Sequence, residues 1–233
     1  MKTIEHPGEG VQKKRGRPLS FDRQQAVQRA MVLFWEHGYE ATSLNDLTAA
    51  LGVTPSSIYT AFGDKKGLFL AAVGHYMSGP ITARSIVEEA ATAQAAAHGL
   101  LHAAAIGFTG HSTPRGCLLA SSAISCSAMA QDVRETLADL RKGIEGRLRE
   151  KIKHDVKIGQ LPPNTDAMAL AAHTMAVIQG MSTLARDGAS RATLLRVVHT
   201  AVQCWPAGDG VSDGPSRPVP ERPRRGRAAQ RAG

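Results

Sequence analysis

Apolar positions recur every three or four residues along most of the chain. Val27, Ala30, Met31 and Phe34 make one stripe, and Leu68, Phe69, Ala72, Val73 and Tyr76 make another. Val133, Leu137, Leu140, Ile144, Leu148 and Ile152 form a third, with Arg141, Lys142, Arg149 and Glu150 on the other faces. Leu194, Leu195, Val198, Ala201 and Val202 form the last. This is the 3.6-residue period of amphipathic helices, and no stretch shows convincing two-residue alternation. The pattern predicts an all-α fold. Two turn-rich segments interrupt it: TGHSTPRG at 109–116, and GQLPPNTD at 159–166, where Thr165 or Asn164 is expected to cap a helix starting near Asp166. Residues 1–18 and 206–233, rich in Gly, Pro, Arg and Ser, show no period and are expected to be disordered.

The segment TSLNDLTAALGVTPSSIYTAFG at 42–63 is the most specific in the chain. Ser43 followed three residues later by Asp46 resembles a capping box. Leu44, Leu47 and Leu51 give a short helix one apolar face, and Gly52 supplies a left-handed stop. Thr54 then caps a second helix with Pro55 at its first position, where a missing N–H costs nothing. Ile58 and Phe62 point inward, leaving Ser56, Ser57, Thr60 and the Tyr59 hydroxyl outward. With a support helix at about 22–37, this spells a helix-turn-helix, whose second helix enters the DNA major groove. An αα corner with a solvated face is the plainer reading of the same grammar.

Composition narrows the class. The 233 residues are 42% hydrophobic and 4% aromatic. The longest apolar runs break well short of the roughly 20 residues a bilayer span needs. No apolar leader core opens the chain, and three cysteines (Cys117, Cys126, Cys204) make no disulfide framework. The expectation is a soluble cytoplasmic protein with no membrane partner. The net charge of +8 is concentrated in the tails: residues 1–18 hold five basic against two acidic side chains, and 206–233 hold six arginines against three. Residues 19–66, which include the helix-turn-helix, carry four basic and five acidic side chains, a poor polyanion surface.

The run FWEHGYEATSLNDLTAALGVTPSSIYTAFGDKKGLFLAAV resembles the DNA-binding head of the TetR/AcrR transcriptional regulators. Phe34-Trp35, Gly38-Tyr39, Thr42-Ser43, Gly52-Val53, Ile58-Tyr59, Phe62 and Lys65 carry the likeness, which covers about the first third of the chain. The resemblance implies a three-helix head (19–66) reading double-stranded operator DNA, followed by a helical ligand-binding and dimerisation domain (67–205). It implies phosphate contacts from Thr42, Ser43 and Lys65, a recognition helix bearing Thr54, Ser56, Ser57 and Thr60, and Tyr59 reaching a phosphate or a thymine methyl. Relatives often place a large or strongly polar side chain where this chain has Thr60 and Ala61, which leaves its base preference open.

The resemblance also places a four-helix dimer interface at the helices near 132–157 and 166–187. Leu140, Ile144, Ala172, Ala176 and Gly180 are its candidates, the last three being small residues at helical spacing; packing within one chain is the equal alternative. An effector pocket among residues 80–180 is expected to draw on Leu100, Ile106, Phe108, Leu118, Met129, Met175 and Met181. Cys117 follows Arg115-Gly116 at an apparent helix start, where helix dipole and Arg would favour thiolate and make it a candidate sensor of electrophiles; a small buried hydrophobe is the plainer reading. His98 and His102, four apart, lack a third ligand placed by the sequence, so no metal and no cofactor is expected. The resulting expectation is a homodimeric repressor of an inverted-repeat operator, released by a small molecule of unknown class or by thiol modification. An activator of the same fold, a cysteine-dependent hydrolase built on Cys117 and an architectural DNA protein are the alternatives.

The basic run Lys13–Pro18 stands directly before the acidic head, and its Arg15-Gly16-Arg17-Pro18 core resembles an AT-hook, which lays two arginines in a narrow A·T-rich minor groove. A solubilising tail is the alternative. Deleting residues 1–17 is expected to weaken DNA binding and flatten its salt dependence. An unchanged slope of log K against log salt would show that the arm takes no part.

Overall fold

The computed structural model describes residues 21–122 and 130–206. Every helix start in the head is fixed by a local cap. Asp22 accepts from the backbone N–H groups of Gln24 and Gln25 to open α1 (Arg23–His37). Ser43 and Asp46 close the expected capping box at α2 (Leu44–Leu51), and Gly52, in the left-handed region at φ 67°, ends that helix. Thr54 accepts from Ser57 N at 3.3 Å to open α3 (Pro55–Phe62). Asp64 accepts from Gly67 N at 2.6 Å to open α4 (Lys65–Met77). These caps satisfy N–H groups that have no partner within the helix.

The rest of the chain is also helical: α5 (Ala83–Glu89), α6 (Ala93–Gly107), the single turn α7 (Leu118–Ser121), α8 (Gln131–Lys157), α9 (Ala167–Arg186) and α10 (Arg191–Gln203). Among the described residues there is no strand, and the all-α expectation holds. The cap of α9 differs in detail from expectation. Asp166 takes the position, its carboxylate accepting from Met168 N and Ala169 N at 3.0 Å, because a carboxylate reaches two N–H groups at once. The tails, with Arg15 and Arg17, lie outside the described residues, as do Cys126 and Met129.

Three apolar clusters hold the helices. The first joins the head to the body: Phe34, Leu47, Ile58, Leu68 and Phe69, each fully buried, pack in one cluster with Leu118, Leu119, Val133 and Leu137. The second gathers Val87, Ala93, Ala96, Ala97 and Leu100 against Leu148, Ile152, Ala171 and Trp205. The third sets Leu101, Ala105 and Phe108 against Met181, Ala185, Leu194 and Val198. Alanine on α6 lets neighbouring helices approach closely, so two of its faces are covered at once.

One buried carboxylate ties this body together. Asp155, on α8, is 2% exposed, and its Oδ2 accepts from the N–H of Ala93, the first residue of α6, at 2.6 Å. Its carbonyl accepts from Gln160 and Leu161 as the chain leaves α8. Removing a partner from a buried N–H costs about 1–3 kcal/mol. Asp155→Ala is therefore expected to lower the melting temperature by about 2–12 °C. An unchanged thermal unfolding curve would contradict that role.

Candidate nucleic-acid interface

The outward face of α3 is built from hydroxyls that bond one another. Thr54 Oγ1 lies 2.9 Å from both Ser56 Oγ and Ser57 Oγ, and Thr60 Oγ1 donates to the Ser56 carbonyl at 2.8 Å. Tyr59 stands out from this short-chained face, 54% exposed. The helix thus presents a low surface of exposed hydroxyls with one long aromatic projecting. Such a surface allows the backbone to approach a groove closely, and each hydroxyl both donates and accepts.

Ser43 sits exposed at the start of α2, its Oγ donating to Asp46 Oδ2 at 2.6 Å. That bond, together with the Ser43 N–H, holds the Asp46 carboxyl below its ordinary value. An Asp lowered in the folded state contributes stability above its unfolded pKa and loses it as pH falls through the folded one. The box is therefore intact at neutral pH. Thr42 corrects an expectation. It is 1% exposed, and its hydroxyl donates to the Gly38 carbonyl at 2.7 Å, so it closes the α1–α2 turn rather than facing outward.

Lys65 is also drawn inward. Its Nζ donates to the Thr42 carbonyl at 2.9 Å and lies 4.4 Å from the centre of the Tyr39 ring. The ammonium thereby ties the α1–α2 turn to the first turn of α4. Arg23 lies over the Phe62 ring at 4.8 Å, and Lys66 pairs with Asp132 of α8. That pairing lifts the Lys66 ammonium above its usual range and lowers Asp132. Three of the head's four cations are thus engaged within the chain.

The α3–α4 corner requires glycine for space. A Cβ on Gly67 would lie 1.9 Å from the Phe62 carbonyl oxygen, a separation no side chain can occupy. The backbone of α4 therefore abuts the end of α3 directly, which constrains the angle between the two helices. Sequence reasoning passed over Gly67 because a glycine inside a helical pattern signals only a modest propensity loss.

Placement of the remaining candidates is mixed. Ala172, Ala176 and Gly180 are exposed along one face of α9, continuing to Leu184 at 42% exposure and Met168 at 63%. Leu140 and Ile144 are half-buried against the first and second clusters. Most of the expected pocket residues are instead core: Leu118 is fully buried, Leu100, Phe108, Met175 and Met181 are buried, and Ile106 stands exposed at 38%. Two clefts lie elsewhere. One of about 530 Å³ between α5 and α8 is lined by Val87, Gly143, Gly146 and Arg147. Another of about 310 Å³ between α6 and α10 is lined by His98, His102, His199 and Val198. Leu100, Phe108 and Met181 pack instead into the second and third clusters, against the alanines of α6 and α9. Among the described residues no three metal-ligating side chains converge, and the His98 and His102 rings stack at 5.8 Å.

Cys117 is half-buried at the start of α7, where its sulfur accepts from the Tyr76 hydroxyl at 3.5 Å. Burial and the nearby sulfur push the Tyr76 phenol well above its usual value. Arg115 does not face the thiol as expected. Its guanidinium donates instead to the Ala185 carbonyl at the end of α9 and to the Ala189 carbonyl in the turn that follows.

A capped helix-turn-helix with a hydroxyl-bearing second helix, seated on a larger helical body, defines a DNA-binding regulator. The sequence matches agree. Residues 27–72 match "Bacterial regulatory proteins, tetR family" and residues 86–201 match "Tetracyclin repressor-like, C-terminal domain". The chain is 37% identical over 199 residues to the HTH-type transcriptional repressor ComR of Escherichia coli (strain K12), covering 84% of this chain and 94% of that one. A cysteine mutant of the TetR family regulator CifR, solved with 26-bp double-strand operator DNA, superposes with a TM-score of 0.77 at 37% identity, covering 82% of this chain and all of that one. A TetR family regulator from Cytophaga hutchinsonii shares the fold at 24% identity and TM-score 0.64, over 78% of this chain and 91% of that one. This chain belongs to the TetR family of transcriptional regulators.

Gly67→Ala is expected to displace the α3–α4 corner and abolish sequence-specific DNA binding, with a lowered melting temperature. Wild-type affinity in that variant would show that the corner does not set the reading helix.

Proposed function

We propose that the protein is a homodimeric repressor that reads an inverted-repeat operator through α3 and is released when its helical body is altered by a small molecule or by modification of Cys117. The observation that carries the reading is the pairing of two exposed surfaces on one chain. The hydroxyl face of α3, with Tyr59 projecting, suits a major groove. The apolar face Met168, Ala172, Ala176, Gly180 and Leu184 of α9 suits close packing on a second copy. By length and composition α9 would pass for a membrane span, and only 28% of its apolar window is buried within the chain. A two-fold dimer covers that surface and presents two heads to two half-sites. Ser43, Thr54, Ser56, Ser57, Tyr59 and Thr60 are assigned to DNA, with phosphate charge met largely by Arg15 and Arg17. Lys65, which holds the α1–α2 turn through the Glu40 and Thr42 carbonyls, is assigned to a phosphate beside that turn.

The Cys117 branch rests on position. Its thiol touches Tyr76 of α4, and its N–H donates to Ser182 Oγ of α9 at 2.9 Å. An adduct on the sulfur removes the acceptor of a buried phenol between two helices. An effector acts only through unequal affinity for the DNA-competent and incompetent states, and this junction is where such states would differ in packing. Catalytic use of the thiol has no support from the geometry, since its hydrogen-bond partner is a phenol held neutral.

Footprinting tests the whole reading. A regulator of this kind protects one palindrome near a promoter, an architectural protein protects broadly, and an enzyme protects nothing. Adding a quinone is expected to clear the footprint of wild type and not of Cys117→Ser. Clearance in both leaves the repressor reading and removes the thiol branch.

A further inference from the structure

The last turn of α9 is joined to the head by polar contacts that core packing does not require. Arg186 ends α9, and its guanidinium reaches α1, 150 residues away in sequence. Nη1 donates to the Trp35 carbonyl and Nη2 to the Glu36 carbonyl, both at 3.1 Å. These carbonyls lie in the final turn of α1, where acceptors lack intrahelical partners and the helix carries partial negative charge. A planar, permanently charged fork is the side chain suited to holding two of them together.

The other side of this turn is gripped as well. Gly116, at φ 86°, approaches so closely that a Cβ there would lie 2.9 Å from Arg186 Cγ and 2.9 Å from the Ser182 carbonyl oxygen. Cys117 N donates to Ser182 Oγ at 2.9 Å, and Arg115 Nε donates to the Ala185 carbonyl at 2.7 Å. Ser182 to Arg186 is thus clamped between the 115–117 segment and the end of α1. The outward side of the same turn, at Thr183 and Leu184, continues the exposed face of α9.

We infer that Arg186 is a positioning residue for operator binding: it fixes the angle between the head and α9, and so sets the half-site spacing that two paired heads accept. The inference rests on the dimeric, two-half-site reading above. Apolar contact between Leu118, Leu119 and the head holds the two parts together, but it is non-directional. Two hydrogen bonds from one rigid fork restrict direction. If α9 packs on the dyad, its end turn reaches α1 directly through Arg186. Each base pair added between half-sites moves one by about 3.4 Å and turns it by about 34°. A fixed head angle makes such a change costly, and a loosened one absorbs it.

The test uses the full chain and an operator duplex selected from random-sequence DNA by the wild-type protein. Derivatives with one or two base pairs inserted or removed at the dyad, and a single half-site, are compared by fluorescence anisotropy. Wild type is expected to lose about tenfold in affinity on altered spacing, and Arg186→Ala to lose less than about threefold. Arg186→Lys, which keeps the charge and one prong, falls between them, and Gly116→Ala, which crowds the same turn, follows Arg186→Ala. Single half-site affinity and melting temperature stay near wild type in Arg186→Ala. An unchanged spacing profile in Arg186→Ala overturns the inference, as does a uniform loss on every duplex accompanied by a lowered melting temperature. If the wild-type protein selects a single half-site or shows no spacing preference, the two-half-site reading itself fails, and that result needs no variant to be recognised.

Discussion

The forty residues from Arg23 to Phe62 hold three helices too short to bury a core among themselves. A domain of that size rarely removes enough apolar surface from water to be stable alone. Here the deficit is met from outside. Phe34 meets Phe69 of α4 edge-on at 5.0 Å, Trp35 meets Tyr76 of α4 at 4.9 Å, and the cluster continues into Leu118, Leu119, Val133 and Leu137. The head is therefore folded only as far as the body supports it. Any displacement of α7 or the start of α8 is felt by residues that back the reading helix. The connection between regulation and recognition begins as a requirement of stability.

The same shortage explains how the head spends its polar groups. Each short helix needs its own cap, and Thr54, Ser56 and Ser57 serve the start of α3 while forming its outward face. Lys65 closes the α1–α2 turn, and Lys66 ties α4 to Asp132. With three of its four cations engaged and its net charge slightly negative, the head has little left for long-range attraction to phosphate. The proposed function accordingly divides the labour, with short-range fit assigned to the head and charge to the flanking segments.

Local features were legible in the sequence, and remote ones were not. The capping box, the Gly52 stop and the Pro55 start depend on neighbours three or four residues away, and the helix stripes repeat a single period. Thr42 was misjudged because its hydroxyl turns back to Gly38, which only the path of the α1–α2 turn decides. Asp155, Arg115 and Arg186 act on partners 62 to 151 residues away, and no spacing rule reaches that far. Most of the pocket candidates are large apolar groups, and those are the groups that closely packed, alanine-rich helices bury first, Ile106 excepted.

Several polar contacts at the junction between head and body end on backbone carbonyls. Arg186 holds two carbonyls of α1 and Tyr39 N donates to the Ser122 carbonyl, while within the body Arg115 holds the Ala185 carbonyl of α9 and Arg141 of α8 holds the Leu119 carbonyl. Gly116 and Gly67 bring helix ends within contact distance of one another. Side-chain pairs tolerate rotation, since either partner can change rotamer and follow the other. A carbonyl has no rotamer to change, so in these bonds only the arginine end can adjust. Under the inference drawn for Arg186, a shift at the end of α9 is therefore met by α1 with one adjustable partner instead of two. Arg186 does at a distance what the caps do locally, occupying helix-end carbonyls, and by holding two of them it sets a direction as well as a contact.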